Sequence, residues 1–237
     1  MNQKEFFFNK NQYQFNYYNE DRSGLGCLNE IVERNDYKLH LFENIENGIF
    51  VDIGANCGVN TIILAKQNPK SIIYAFEPYE KVFALLEKNI FDNDLKNVKA
   101  FNLGVSKEGV DELTLSIYNE MSGANSSYAI NEKFSDTYRT KNETTKIKCT
   151  SLDFFVKTNG IDKIDLLKID CEGAEFDILY NCKTLEKNKI KNIVGEFHNL
   201  KYNQCDNNSS KLIEYCEKHI HGIINITVLA SWIKKFL

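Results

Sequence analysis

The chain has 237 residues, 43% hydrophobic and 26% charged, which suits one large α/β domain with a sizeable core. Its 29 Lys and Arg against 33 Asp and Glu give a net charge of −4. That balance argues against a nucleic-acid partner, since phosphates call for a basic excess. No apolar run approaches the ~20 residues of a membrane-spanning helix. The seven cysteines are odd in number and form no CxxC pair, which points to free thiols and a cytoplasmic location.

Residues 1–48 read as an N-terminal cap, loosely ordered at its polar-aromatic start and helical over 28–46. Residues 49–237 read as the main domain. "IFVDI" is a buried strand and "VNTIILAKQ" a helix; "SIIYAF" is a strand and "YEKVFALLEKNIF" a helix. "VKAFNLGV" is the next strand. "ELTLSIY" and "TTKIKCTSL" alternate like antiparallel strands around a long polar loop, a β-hairpin and loop insert. "IDLLKID" is a strand, "AEFDILYNC" a helix, "KNIVGEF" a strand and "NSSKLIEYCEKHI" a helix. The β-branched start of "GIINITVLASWIKKFL" reads as a last core strand. Alternation of this kind predicts an α/β fold with a mainly parallel, doubly wound sheet. Phe6, Phe7, Phe8, Tyr13, Phe15, Tyr17 and Tyr18 are candidates for packing or a homodimer contact.

The loop after the first of these strands is Gly54-Ala55-Asn56-Cys57-Gly58-Val59-Asn60. A dinucleotide fingerprint needs a third glycine, and a P-loop needs Gly-Lys-Ser/Thr; both are missing. The loop still brings bare backbone close to a ligand, with Asp52 at the strand end. Glu77 ends the next strand, where a carboxylate can accept hydrogen bonds from both vicinal hydroxyls of a ribose. The competing reading of Glu77 is a solvated strand end. Together these residues describe a nucleoside ligand without a diphosphate.

"FVDIGANCG", "TSLDFF", "IDLLKIDCEGAEFDIL" and "VGEFHN" resemble the blocks of the FkbM family of class I S-adenosylmethionine-dependent methyltransferases, over about residues 45–200. The resemblance implies a Rossmann-like catalytic domain with S-adenosylmethionine as cofactor. It implies a cofactor site of Asp52, Gly54, Asn56, Gly58, Glu77, Asn102, Ser106 and Asp170. Family members resemble the chain in having a small serine-containing loop, which makes Asn125, Ser126 and Ser127 candidate substrate contacts. The surrounding segment, about 119–145, is expected to be poorly ordered and to close over the ligands.

Methyl transfer from a sulfonium is an in-line displacement that needs alignment and, for a hydroxyl, removal of a proton. Asp170 and Glu172 sit at the C-terminal end of "DLLKID". Glu196 and His198, two apart, project to one face of their strand. These four are the candidate catalytic residues. Asp170 is expected to orient the acceptor or the cofactor's methionine end, His198 to take the proton, and Glu196 to hold His198 or its own part of the acceptor. Lys168 shares the parity of Asp170 and is assigned a salt bridge without chemistry. The same carboxylates and imidazole suit Mg²⁺ or Mn²⁺, but no metal is assigned. Cys57 and Cys171 read as packing residues. FkbM-like enzymes commonly methylate hydroxyls, so the expected function is O-methylation of a sugar or glycan-linked small molecule in polysaccharide or natural-product biosynthesis. The alternatives are N-methylation of a similar acceptor and a non-catalytic nucleoside-binding or assembly protein. An NAD-dependent reductase is disfavoured by the broken glycine pattern.

Overall fold

The computed structural model describes residues 1–118, 122–127, 143–198 and 208–229. Its centre is a six-stranded sheet of β3 (Ile49–Ile53), β4 (Ile72–Phe76), β5 (Val98–Phe101), β9 (Leu166–Ile169), β10 (Ile193–His198) and β11 (Ile224–Leu229). The order is β11-β10-β9-β3-β4-β5, and every pair is parallel. A parallel sheet covered on both faces needs strands that are apolar on both sides. Accordingly Phe50, Ile73, Leu166 and Val194 face one core, and Val51, Tyr74, Leu167 and Ile193 face the other. Helices α2 (Val59–Gln67) and α3 (Glu80–Asp92) contribute to the first core. Helices Glu175–Leu179 and Ser209–His219 contribute to the second. The fold is the mixed α/β architecture expected from the strand–helix alternation.

Three local expectations differ. The N-terminal start is an antiparallel hairpin of β1 (Asn2–Phe8) and β2 (Asn11–Tyr17). Alternate residues Phe6, Phe8, Tyr13 and Phe15 enter the core, so the aromatic run is packing, with Phe7 left outside. The helix expected over 28–46 starts earlier and stops earlier. It is α1 (Arg22–Leu28), continued by a π turn through Glu33. Asn35 and Lys38 then take left-handed backbone (φ 52 and 51), which a helix cannot pass through. The stretch "VKAFNLGV" is two strands rather than one. The Asn102 amide donates to the Glu77 and Pro78 carbonyls at 2.9 and 3.0 Å, and the chain leaves the sheet. It continues as β6 (Gly104–Ser106) in a three-stranded sheet with β7 (Glu112–Ile117) and β8 (Glu143–Ser151). β7 and β8 pair antiparallel, as their alternation predicts. Most of the expected mobile segment, and the end of the chain from residue 230, lie outside the described residues.

Candidate active site

β3 and β9 are neighbours, and the chain winds outward from them in both directions. The crevice beyond the C-terminal ends of such a pair is where open α/β sheets hold ligands. The loops after these two strands touch. A Cβ on Gly54 would lie 1.9 Å from the Asp170 carbonyl oxygen, and Gly54 has φ +73°; only glycine meets both conditions. The pocket here is walled by the glycine loop, Glu77 and Asp170–Glu172. Ser23, Cys27, Glu30 and Tyr37 close it from the N-terminal segment, and Ser122–Asn125 from the insert. These last two walls are clasped together. Ser122 N–H donates to the Asp21 carboxylate at 3.1 Å and Gly123 N–H to Ser23 Oγ at 2.8 Å.

Beneath the loop Asp52 is fully buried. It accepts from Thr61 Oγ1 at 2.7 Å and pairs with Lys168 Nζ at 3.2 Å. Lys168 Nζ also donates to the Gly54 carbonyl at 2.6 Å. Burial pulls the Lys168 pKa down, but Asp52 and Asp170 outweigh it, and the ammonium is held above its ordinary value. Asp52 therefore anchors the loop from behind, and Lys168 makes the salt bridge expected of it.

Glu77 is buried with its two oxygens placed by backbone. Oε2 accepts from Asn56 N–H at 3.0 Å and Oε1 from Tyr79 N–H at 2.9 Å. Burial raises its pKa from 4.5 to about 7, against the pull of those two N–H groups. Each oxygen keeps lone-pair capacity for a ligand donor.

At the neighbouring strand end His198 is 1% exposed. Its Nδ1 meets Glu175 Oε1 at 3.0 Å and its Nε2 meets Glu172 Oε2 at 3.1 Å. Glu196 and Asp170 follow at 3.8 and 3.9 Å. Glu172 reaches the ring from left-handed backbone (φ 56), a conformation that costs a non-glycine residue about 1–2 kcal/mol. Burial lowers the His198 pKa, but Glu172, Glu175 and Asp170 outweigh it and push it up to about 10. The surrounding carboxylates thus favour the imidazolium form of the ring. Asp170, Glu196 and His198 also bring one ligand atom each within 4.8 Å of one another, a spacing open to a divalent cation.

Residues 52–223 match the profile of the methyltransferase FkbM domain. The chain belongs to the FkbM methyltransferase family. The matched domain is an S-adenosylmethionine-dependent methyltransferase domain. Methyltransferase 1 of Beauveria bassiana is 26% identical over 166 residues, which cover 64% of this chain and 65% of the relative. Hexuronic acid methyltransferase AglP of Haloferax volcanii is 27% identical over 147 residues, 62% of this chain and 55% of the relative. The chain thus spans less than two thirds of these relatives. Among solved structures, precorrin-6y C5,15-methyltransferase of Geobacter metallireducens aligns at 13% identity over 79% of this chain and 70% of its own, with a TM-score of 0.42.

The residues of this FkbM domain fit a nucleoside cofactor. Asn60 lines the pocket at 4% exposure, and its Oδ1 has no hydrogen-bond partner among the described residues. With Glu77 it offers acceptors to a ligand rich in hydroxyl and amine donors. Gly54, Asn56, Glu77, Asp170 and Glu172 meet at the pocket, and Asn125 of the insert joins them. Asp52 lies behind the loop, Gly58 ends it as the cap of α2 without lining the pocket, and Asn102 acts at one remove by holding the Glu77 strand end. Ser106 departs from its expected place. It is carried off with β6, opposite Ser151 in the smaller sheet, and does not line the pocket. Ser126 Oγ donates to the Glu172 carbonyl at 2.6 Å, so it shapes the turn rather than the pocket wall. Ser127 does not line the pocket either. Glu196 and His198 lie behind Asp170 and Glu172. The structure adds Tyr37, Asn60 and Glu175. Glu175 stands within "CEGAE", and a buried acid at a helix start was its signal; Tyr37 had none.

Proposed function

We propose that this methyltransferase transfers a methyl group to a hydroxyl of a sugar or glycan-linked small molecule in polysaccharide or natural-product biosynthesis. The observation that carries the reading is the placement of Asp170: a carboxylate on the pocket wall, one loop away from the glycine turn. Bound S-adenosylmethionine supplies an electrophilic methyl on a sulfonium. Glu77 takes the ribose hydroxyls, and Asn56 and Asn60 complete the nucleoside contacts. Bound there, the cofactor would give up its methyl in line to an acceptor hydroxyl, which Asp170 and Glu172 on the pocket wall would orient. The hydroxyl proton passes to the Asp170 carboxylate. This departs from the expected role of His198, because an imidazolium has no lone pair to give and the ring lies behind the wall. His198 instead balances the charge of Asp170 and its neighbouring glutamates. The sugar class is supported by the relative that acts on hexuronic acid. N-methylation of an amino sugar is the second reading, favoured by Glu30, Asp170 and Glu172 on one pocket.

The test is methyl transfer from labelled S-adenosylmethionine to matched neutral, amino and uronic glycosides, with the product's methylated atom assigned by NMR. Asp170→Asn should lose about 10²-fold or more in turnover while binding S-adenosylhomocysteine within a few fold of wild type. Full turnover in that variant would remove the proton-acceptor role. Loss of wild-type turnover on chelation, restored by Mg²⁺, would recast Asp170, Glu196 and His198 as ligands.

A further inference from the structure

Tyr37 precedes the segment matched to the family, which begins at residue 52, yet its side chain stands in the pocket. It is 3% exposed, its hydroxyl donates to Asp170 Oδ2 at 2.8 Å, and Lys168 Nζ lies 5.9 Å from its ring centre. The loop that presents it is pinned on several sides. Asp36 N–H donates to the Glu30 carbonyl at 3.1 Å and Lys38 N–H to the Asn35 carbonyl at 2.9 Å. From the far edge strand, the Asn225 amide donates to the Asp36 carbonyl at 2.8 Å. The phenol is therefore delivered by a fixed backbone, and it fixes one oxygen of Asp170 in turn. The other oxygen lies 3.9 Å from His198 Nε2. Asp170 is held between pocket and imidazole, where its charge favours a cationic ligand group over a neutral one.

We propose that Tyr37 is a positioning residue of this methyltransferase, which holds the Asp170 carboxylate on the pocket wall so that the protein prefers the cationic methyl donor to its neutral product. The proposal rests on the reading of Asp170 above. Its test is calorimetry with the purified full chain, S-adenosylmethionine and S-adenosylhomocysteine, with no acceptor. Wild type should bind the donor more tightly than the product. Tyr37→Phe, which keeps the ring, should lower that preference about fivefold, as loss of a charge-assisted hydrogen bond would, with product affinity nearly unchanged. Asp170→Asn should lower it at least as far. A wild-type preference in Tyr37→Phe beside a lowered one in Asp170→Asn would overturn the role of Tyr37 and leave that of Asp170 intact. An unchanged preference in both would overturn both. Equal loss of both ligands in Tyr37→Phe, with a fall in Tm, would mark a packing residue only and overturn the proposal.

Discussion

If Glu77 accepts the ribose hydroxyls as proposed, cofactor affinity should depend on pH near neutrality. The carboxylate is buried against two backbone N–H donors, and burial raises its pKa from 4.5 to about 7. Ribose hydroxyls donate to the ionised form, so binding should select it. With a pKa near 7, about one tenth of the free protein is ionised at pH 6, and affinity for S-adenosylhomocysteine should fall about tenfold per pH unit below 7, or about 1.4 kcal/mol. Above pH 8 it should level off. Proton release on binding should be nearly one at pH 6 and near zero at pH 8, read by calorimetry in two buffers of different ionisation enthalpy. The linkage to stability has the same origin. The unfolded chain loses this proton near 4.5 and the folded chain near 7, so the native state holds more protons in between. Stability from this group is therefore full below pH 4.5 and declines as pH rises to about 7, by about 3 kcal/mol in all. In Glu77→Gln an amide N–H must face either the Asn56 or the Tyr79 N–H. That variant should bind about 1–3 kcal/mol more weakly than wild type at pH 8 and lose the pH dependence. Wild-type affinity that is flat from pH 6 to 8, or a Gln variant that keeps the wild-type profile, would refute the reasoning.

Gly54→Ala should abolish the contact between the two loops that form the pocket floor, because its Cβ would need the space of the Asp170 carbonyl at 1.9 Å. A tenfold or greater loss of S-adenosylhomocysteine affinity is expected, and unchanged affinity would show that the loops move apart freely. His198→Ala takes the one ring out of contact with Asp170, Glu172, Glu175 and Glu196. Urea denaturation should show about 3–5 kcal/mol lost, the scale for stranding buried charge; a wild-type midpoint would mean that those acids are neutral in the folded protein.

The sheet was legible because parallel strands buried on both faces leave unbroken apolar runs, as in "IFVDI" and "DLLKI". The wall of the pocket was legible where glycines and acids end those runs. The hairpin was less so, because the three-Phe run 6–8 shows no alternation and Tyr13 and Phe15 stand among Gln and Asn, so the segment resembles a solvated tail until α2 and α3 are placed beneath it. His198 was found, but not its charge: the ring's basicity depends on Glu172 and Glu175 folding back from the turn, which spacing along β10 does not reveal. Ser106 was misplaced because nothing in "FNLGVS" marks where one sheet ends and another begins. Tyr37 reaches Asp170 only through the fold.

The pocket floor also has a kinetic meaning. Lys168 reaches the Gly54 carbonyl across 114 residues of chain, and β3 pairs directly with β9. Pairings of that span close late, since the loop entropy must be met before the contact forms. A nascent or refolding chain can complete β3, α2 and β4 early and still have half a floor. Competence to hold the cofactor thus waits on a long-range closure, and a cofactor that binds only the closed form would favour that closure by mass action.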